Sequence, residues 1–474
     1  MDIEAFIGWV NAQVWGIPML SLLLLTGLYL TIGLRFMSII RIPYAFGQLF
    51  RKRSGSAEGD VSPFGALMTA LSSTIGTGNI GGVAAAIAIG GPGAVFWMWM
   101  TAVLGTATKY SEGVLAVKFR ETDANGNHVG GPMYYIKNGL GSKWVWLGGV
   151  FATFGVLASW GTGAYIQSNA VADTLNSTYN VPHLLTGFVL ASGAAAVILG
   201  GIKRIASVAS KLVPFMALAY ISAGLVVLVL KVDAIPAAFG MIFSGAFGMT
   251  EATTGISIGL LMLAMQKGVA RGIFSNEAGQ GSAPIAHAAA KNKDPVNQGI
   301  VAMLGTVIDT LIVCTITALV ILTSGAVAPQ CLPTPETVEQ LLAGTQAAGC
   351  DTSAPLTAAA FDAVLTGIGA HIVSIGLVVF AFTTILGWSY YGERCAAYLF
   401  GEKIIFPFKL SWIIMVLLGS AVLMLEGEVT NIVNLAWLAA DTLTGLMAAP
   451  NLIALLLLSP LVFRLTKEYF EKQK

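Results

Sequence analysis

Ser72-Ser73-Thr74-Ile75-Gly76-Thr77-Gly78-Asn79-Ile80-Gly81-Gly82 is a polar, glycine-dense stretch set inside an apolar segment, Phe64 to Ile89. An intact helix gains nothing from it, because each glycine costs about 1 kcal/mol relative to alanine. Backbone groups left unpaired in hydrocarbon cost several more unless they line a polar site. The stretch therefore predicts a helix opened on purpose. Opening frees carbonyls of the first half, which suit a cation, and N–H groups of the second, which suit a carboxylate. A second such stretch, Gly272-Ile273-Phe274-Ser275-Asn276-Glu277-Ala278-Gly279-Gln280-Gly281-Ser282, interrupts the span from Thr253 to Ala290.

Other polar residues sit where hydrocarbon discourages them. Gln167 interrupts the span Trp144 to Val171, and its amide can donate to a carboxylate and accept from an ammonium; a helix–helix hydrogen bond is the alternative. Thr384 and Trp388 are four residues apart, share a helix face, and can close a pocket too small for long side chains. Charges within spans are costly and tend to be functional. Glu277 and Arg271 flank the second break as a candidate gate. Asp309 follows Thr306 by one turn, which leaves cation coupling and helix bonding both open. Glu112 and Lys109 read as a structural pair.

The elements that position these residues follow from composition. Of 474 residues 56% are hydrophobic and only 10% charged, with a mean hydropathy of +0.78; soluble domains carry about a quarter charged residues. The fold expected is all-α and polytopic, with about eleven spans of roughly 20 residues each, from Ile17 to Leu34 at one end to Asn431 to Leu461 at the other, a break or a short lead-in near Pro450 being open in the last. Setting the first span aside leaves two sets of five, each opened by a broken helix, as in inverted-repeat secondary transporters. The divisions are an extra helix and basic loop (1–60), a first repeat (61–232) and a second repeat (233–474), with an outside loop at 325–355.

Lys and Arg mark cytoplasmic loops, and here they alternate: Arg35, Arg41, Arg51, Lys52 and Arg53, then Lys118, Arg120, Lys137 and Lys143, then Lys203 and Arg204, Lys291 and Lys293, Arg394 and Lys403, and Arg464, Lys467, Lys472 and Lys474. The N-terminus is expected outside, the C-terminus in the cytoplasm, with few positives in opposite loops such as that of Glu426 and Glu428. Cys331 and Cys350 fall in the outside loop, where a disulfide and two free thiols are both open. Cys314 and Cys395 read as packing residues. No cysteine pair has CxxC spacing, and a net charge of +1 offers no nucleic-acid footprint.

The sequence resembles the alanine or glycine:cation symporters. The resemblance runs through nearly the whole chain and is strongest at Ser62-Pro63-Phe64 with Gly76-Thr77-Gly78-Asn79-Ile80, at Gly130-Gly131-Pro132-Met133-Tyr134-Tyr135, and from Gly272 to Pro284. It implies a leucine-transporter-type fold that imports small neutral amino acids with sodium, or sometimes protons, across the bacterial inner membrane, and no organic cofactor. On that footing the substrate carboxylate meets N–H groups around Thr77 and Gly78, with Asn79 beside them. The ammonium meets carbonyls near Phe274, Ser275 and Asn276, and Gln167 matches a substrate-contacting glutamine. One sodium takes oxygens from Ser72, Ile75, Thr383 and Thr384; a second uses Thr74 and Asn79. The competing classes are a channel, for which no repeated filter motif or charged ring appears, an intramembrane enzyme, for which no Ser-His, paired-Asp or HExxH constellation lies in the spans, and a binding-only sensor.

Overall fold

The computed structural model describes residues 3–49, 58–249, 257–342, 350, 352–424 and 429–472. Large apolar side chains stand on its outside: Phe215 and Val229 are each 72% exposed and Phe406 is 68% exposed. Asn79, Asp309, Ser72 and Thr383 are fully buried. That inversion is the arrangement of a chain whose lateral solvent is hydrocarbon.

Two helices, α1 (Ile3–Val14) and α2 (Ile17–Gly33), precede the core. The first broken span follows as α3 (Pro63–Thr74) and α4 (Gly78–Gly90), bent by 54°, and then α5 (Ala94–Lys118). A short hairpin, β1 (Glu121–Thr122) and β2 (His128–Val129), leads on to α6 (Ser142–Tyr179), α7 (His183–Ile198) and α8 (Gly201–Leu230). A short apolar helix, α9 (Val232–Ala246), precedes the second broken span, α10 (Ile258–Asn276) with α11 (Ala283–Ala288). The remainder is α12 (Pro295–Ser324), α13 (Val338–Leu342), α14 (Ser353–Asp362), α15 (Gly369–Phe400), α16 (Glu402–Met424) and α17 (Val429–Glu471).

Among the described residues seven unbroken helices are long and apolar enough to cross a membrane, and the bent α3–α4 pair makes eight. The other segments read as spans are also helical, but α7 has only 16 residues, α5 carries buried Lys109 and Glu112, and α10 stops at the second break. No break occurs near Pro450: α17 runs on through Pro450 and Pro460 for 43 residues. Neighbouring helices can re-satisfy the backbone groups that a proline frees. Thr253 and, among the loop charges used for orientation, Arg51, Lys52, Arg53, Glu426, Glu428 and Lys474 lie outside the described residues.

The two broken spans lie at the centre. α5 packs on α10 and on the start of α12, α8 packs on α3 and α15, and α17 packs on α6 and α1. One end of the molecule carries a lid. Val338 and Leu341 of α13 rest on Leu260 and Leu263 of α10, while Thr357 of α14 donates to the Ile80 carbonyl of α4 at 3.0 Å. Cys331 and Cys350 are joined as a disulfide across a separation of 19 residues, so the open question from sequence resolves to the bonded form. A closed loop of that length stabilises by about 3 kcal/mol. Cys331→Ser is accordingly expected to lower the thermal midpoint in detergent by several degrees, as mild reduction should in the wild type. The opposite end is tied by Arg394 to Asp123 of the hairpin at 3.1 Å and by Lys409 to Glu393 at 3.2 Å.

Candidate functional site

α3 ends at Thr74, Ile75 turns to an extended conformation, and the helix restarts beyond Gly76. Restarting leaves the first N–H groups without a preceding turn to donate to. Glycine at 76 lets the break lie against α15: a Cβ there would stand 2.5 Å from Thr384 Oγ1, which would have to turn away. The Gly76 N–H donates to Asn79 Oδ1 at 2.9 Å, and the Asn79 amide donates to Asp309 Oδ1 at 2.8 Å. The break is thus fastened to α12 through one side chain.

The second break is built differently. Glu277, Gly279 and Gly281 take φ of 55°, 88° and 82°, which glycine accepts freely and an L-residue only at a cost of roughly 1–2 kcal/mol. Glu277 is held there through its carboxylate, which accepts from Trp388 Nε1 at 2.9 Å and from the Ser282 hydroxyl. The gate supposed between Glu277 and Arg271 does not form. Arg271 instead lies over the Phe274 ring, 5.7 Å from its centroid.

Between the breaks lies a narrow polar cavity of about 10 Å³, room for about one water molecule. Of the residues named from sequence, Thr74, Thr77, Gly78, Gln167, Phe274, Thr384 and Trp388 line it. So do Ser73, Gly76, Thr162, Glu277, Gln280 and Thr444, of which sequence reasoning had singled out only the two breaks and Glu277. Thr162 and Thr444 hydrogen-bond each other at 2.7 Å; isolated threonines in apolar spans give no signal. Gln167 donates to Thr77 Oγ1 at 3.3 Å and to the Thr162 carbonyl at 3.1 Å, while its Oε1 is buried without a protein partner.

The side chains of Asn79, Ser275 and Asn276 are not in the cavity wall. They form a second cluster behind it, centred on Asp309. Its carboxylate accepts from Asn79, from Ser275 Oγ at 2.8 Å and from Thr310 Oγ1 at 2.7 Å, and Asn276 reaches Thr310 at 3.2 Å. Asp309 therefore joins both breaks. Of the first sodium set, Ile75 O and Thr384 Oγ1 are 3.5 Å apart. Thr383 donates to the Phe380 carbonyl at 2.9 Å and Ser72 to the Thr69 carbonyl at 2.7 Å. Thr74 lines the cavity and Asn79 does not, so the second set is divided. Glu112 bonds Asn451 at 2.7 Å and the Gly279 N–H at 3.2 Å rather than pairing with Lys109.

Thr77 also lines a vestibule of about 500 Å³ that opens at the lid end, with Gly81, Asn169, Asp173, Ser353 and Trp437. Trp388→Phe removes the indole N–H from Glu277 and leaves a buried acceptor unpaired, a loss of about 1–3 kcal/mol. The thermal midpoint in detergent is accordingly expected to fall by a few degrees.

Two interrupted helices facing each other across a polar cavity, within an apolar shell, define a solute carrier of the broken-helix class. The fold is that of MhsT in complex with L-phenylalanine, which matches with a TM-score of 0.56 at 12% identity over 86% of this chain and 98% of that one. A manganese transporter of Eremococcus coleocola matches at a TM-score of 0.51 and 12% identity, over 83% and 76%. The chain matches the sodium:alanine symporter family over residues 1–474 and belongs to it. Similar proteins include the sodium/alanine symporter AgcS of Methanococcus maripaludis, 49% identical over 100% of this chain and 99% of that protein. The probable sodium/glutamine symporter GlnT of Bacillus subtilis is 34% identical over 100% and 92%.

Proposed function

We propose that the protein takes up small neutral amino acids, alanine or glycine, together with sodium by alternating access. The observation that carries this reading is the pairing of a narrow polar cavity with the Asp309 cluster immediately behind it. A zwitterion needs an anion site and a cation site a few ångströms apart. The first-turn N–H groups around Thr77 and Gly78 take the carboxylate. The unpartnered Gln167 Oε1, the Glu277 carboxylate and the carbonyls of Phe274 and Ser275 take the ammonium. Thr384 and Trp388 limit the side chain.

Sodium is a hard ion and takes oxygen ligands. One ion uses Ile75 and Thr384 with Ser72 and Thr383. The second is centred on Asp309, with the hydroxyls of Ser275 and Thr310 in place of the Thr74 and Asn79 pair; the Asn79 amide nitrogen holds the carboxylate in place. The charge balance supports this. Near the cavity three buried carboxylates, Glu112, Glu277 and Asp309, stand with buried Lys109, which acts electrostatically on all three, while buried Glu393 is paired with Arg394 elsewhere. Buried carboxylates without cations are costly.

The halves 61–232 and 233–474 rock about this site in the plasma membrane. The lid end faces outside, a reading supported by the disulfide there. Lys118, Arg394 and Lys409 at the opposite end support a cytoplasmic C-terminus.

The test is uptake into proteoliposomes. Collapsing the sodium gradient is expected to cut alanine accumulation at least tenfold, and an inside-negative potential to raise it, since each net charge carried is worth about 2.3 kcal/mol per 100 mV. Accumulation that survives collapse of both the sodium and the pH gradients sinks the coupling.

A further inference from the structure

A second space, open on one side, lies away from the cavity, between the turn that joins α1 to α2 and the first half of α10. It measures about 410 Å³ and is lined chiefly by Ile17, Leu20, Leu24, Met262, Met265 and Val269. No ionisable side chain lines it. Its mouth merges with the lipid-facing surface: Ile17 is 56% exposed, Met262 39% and the adjacent Ile258 72%.

We propose that this space is a binding site for one acyl chain of a membrane phospholipid. An uncharged, largely apolar wall continuous with the hydrocarbon-facing surface selects an apolar chain over a polar solute. The bilayer presents that chain at the mouth in large excess, with its headgroup left at the interface. Water is a poor occupant of such an apolar cavity, which stays dry unless polar partners converge on it. The amide donor of Gln266, one of the polar groups in the wall, is committed to the Trp15 carbonyl at 3.2 Å.

The place of the site gives it leverage. The same turn is fastened to α17, where Trp15 Nε1 donates to the Asp441 carbonyl at 3.3 Å and Asn11 bonds Thr442 at 2.9 Å. Thr444, one turn further on, lines the substrate cavity, as does Phe274 near the other end of α10. A bound chain therefore fills the gap beneath a clamp that holds two walls of the cavity.

The experiment uses the full chain in vesicles of phosphatidylethanolamine and phosphatidylglycerol containing a phosphatidylethanolamine with a diazirine on one acyl chain. After photolysis, labelled peptides are read by mass spectrometry. Met262, Met265 and the segment 20–24 are expected to be labelled at least fivefold more than the openly lipid-facing Phe215 and Val229. Leu24→Trp, which fills the space from α2, is expected to cut labelling of Met262 and Met265 at least fivefold and leave Phe215 unchanged. Leu24→Ala, which keeps the space open, is expected to retain it and stands in should the tryptophan variant fail to fold. Labelling no greater than at Phe215, labelling indifferent to Leu24→Trp, or labelling only in detergent micelles carrying the probe would overturn the site. The readout involves no transport, so it stands or falls independently of the substrate assignment.

Discussion

Asp309→Asn raises the sodium concentration needed for half-maximal alanine binding by at least a hundredfold; that is the expected result of titrating sodium against alanine binding in detergent. The substitution keeps the shape of the side chain and an acceptor for the Asn79 amide, but removes the carboxylate charge beside the hydroxyls of Ser275 and Thr310. Withdrawing one charge from a buried ion–carboxylate contact costs about 3–5 kcal/mol, and each 1.4 kcal/mol is tenfold. Binding in saturating sodium should return toward the wild-type level, which separates a cation defect from a folding defect. An unchanged sodium requirement would remove Asp309 from the coupling site and leave it a helix-bundle bond.

Gly76→Leu is expected to abolish alanine uptake, by at least a hundredfold, while the protein still inserts and melts within a few degrees of the wild type. The first added carbon would stand 2.5 Å from Thr384 Oγ1 and 3.7 Å from Gln167 Oε1, and the rest of the side chain has only a cavity of about 10 Å³ to enter. Thr384 can rotate away, so folding survives; the space for the substrate does not. Gly78→Leu strikes a different wall, since its Cβ would lie 3.3 Å from the Ser275 Cα. It presses on the backbone of the opposite break and should damage alanine and sodium binding together. Wild-type affinity for alanine in Gly76→Leu would remove the first break from the substrate site.

Both breaks were legible in the sequence, because a glycine-dense polar run is too costly to keep inside an apolar span unless the helix opens there. Gln167 stood out as an amide inside an apolar span, and Thr384 with Trp388 as a pair sharing one helix face; all three line the cavity. The grouping around Asp309 was not. Asn79 lies 230 residues from Asp309 and Ser275 lies 34 away, and no local pattern records which polar side chains meet across a bundle. Glu277 shows the same limit: proximity in sequence suggested Arg271, whereas its partner Trp388 is 111 residues away. Thr162 and Thr444 left no trace, because a hydroxyl can satisfy itself on its own helix, as Thr444 does on the Ala440 carbonyl at 2.8 Å. Pro450 suggested a break that does not form, since a proline in a packed span need not end it.

The lid rests one arm on α10 and the other on α4, with a covalent bond between Cys331 and Cys350. The two interrupted helices thus share a single handle. A nanobody that grips the loop would load both at once, and would act as a brake on turnover without occupying the pathway itself. Its inhibition should accordingly be non-competitive with alanine, and should weaken when the disulfide is reduced and the two arms are uncoupled.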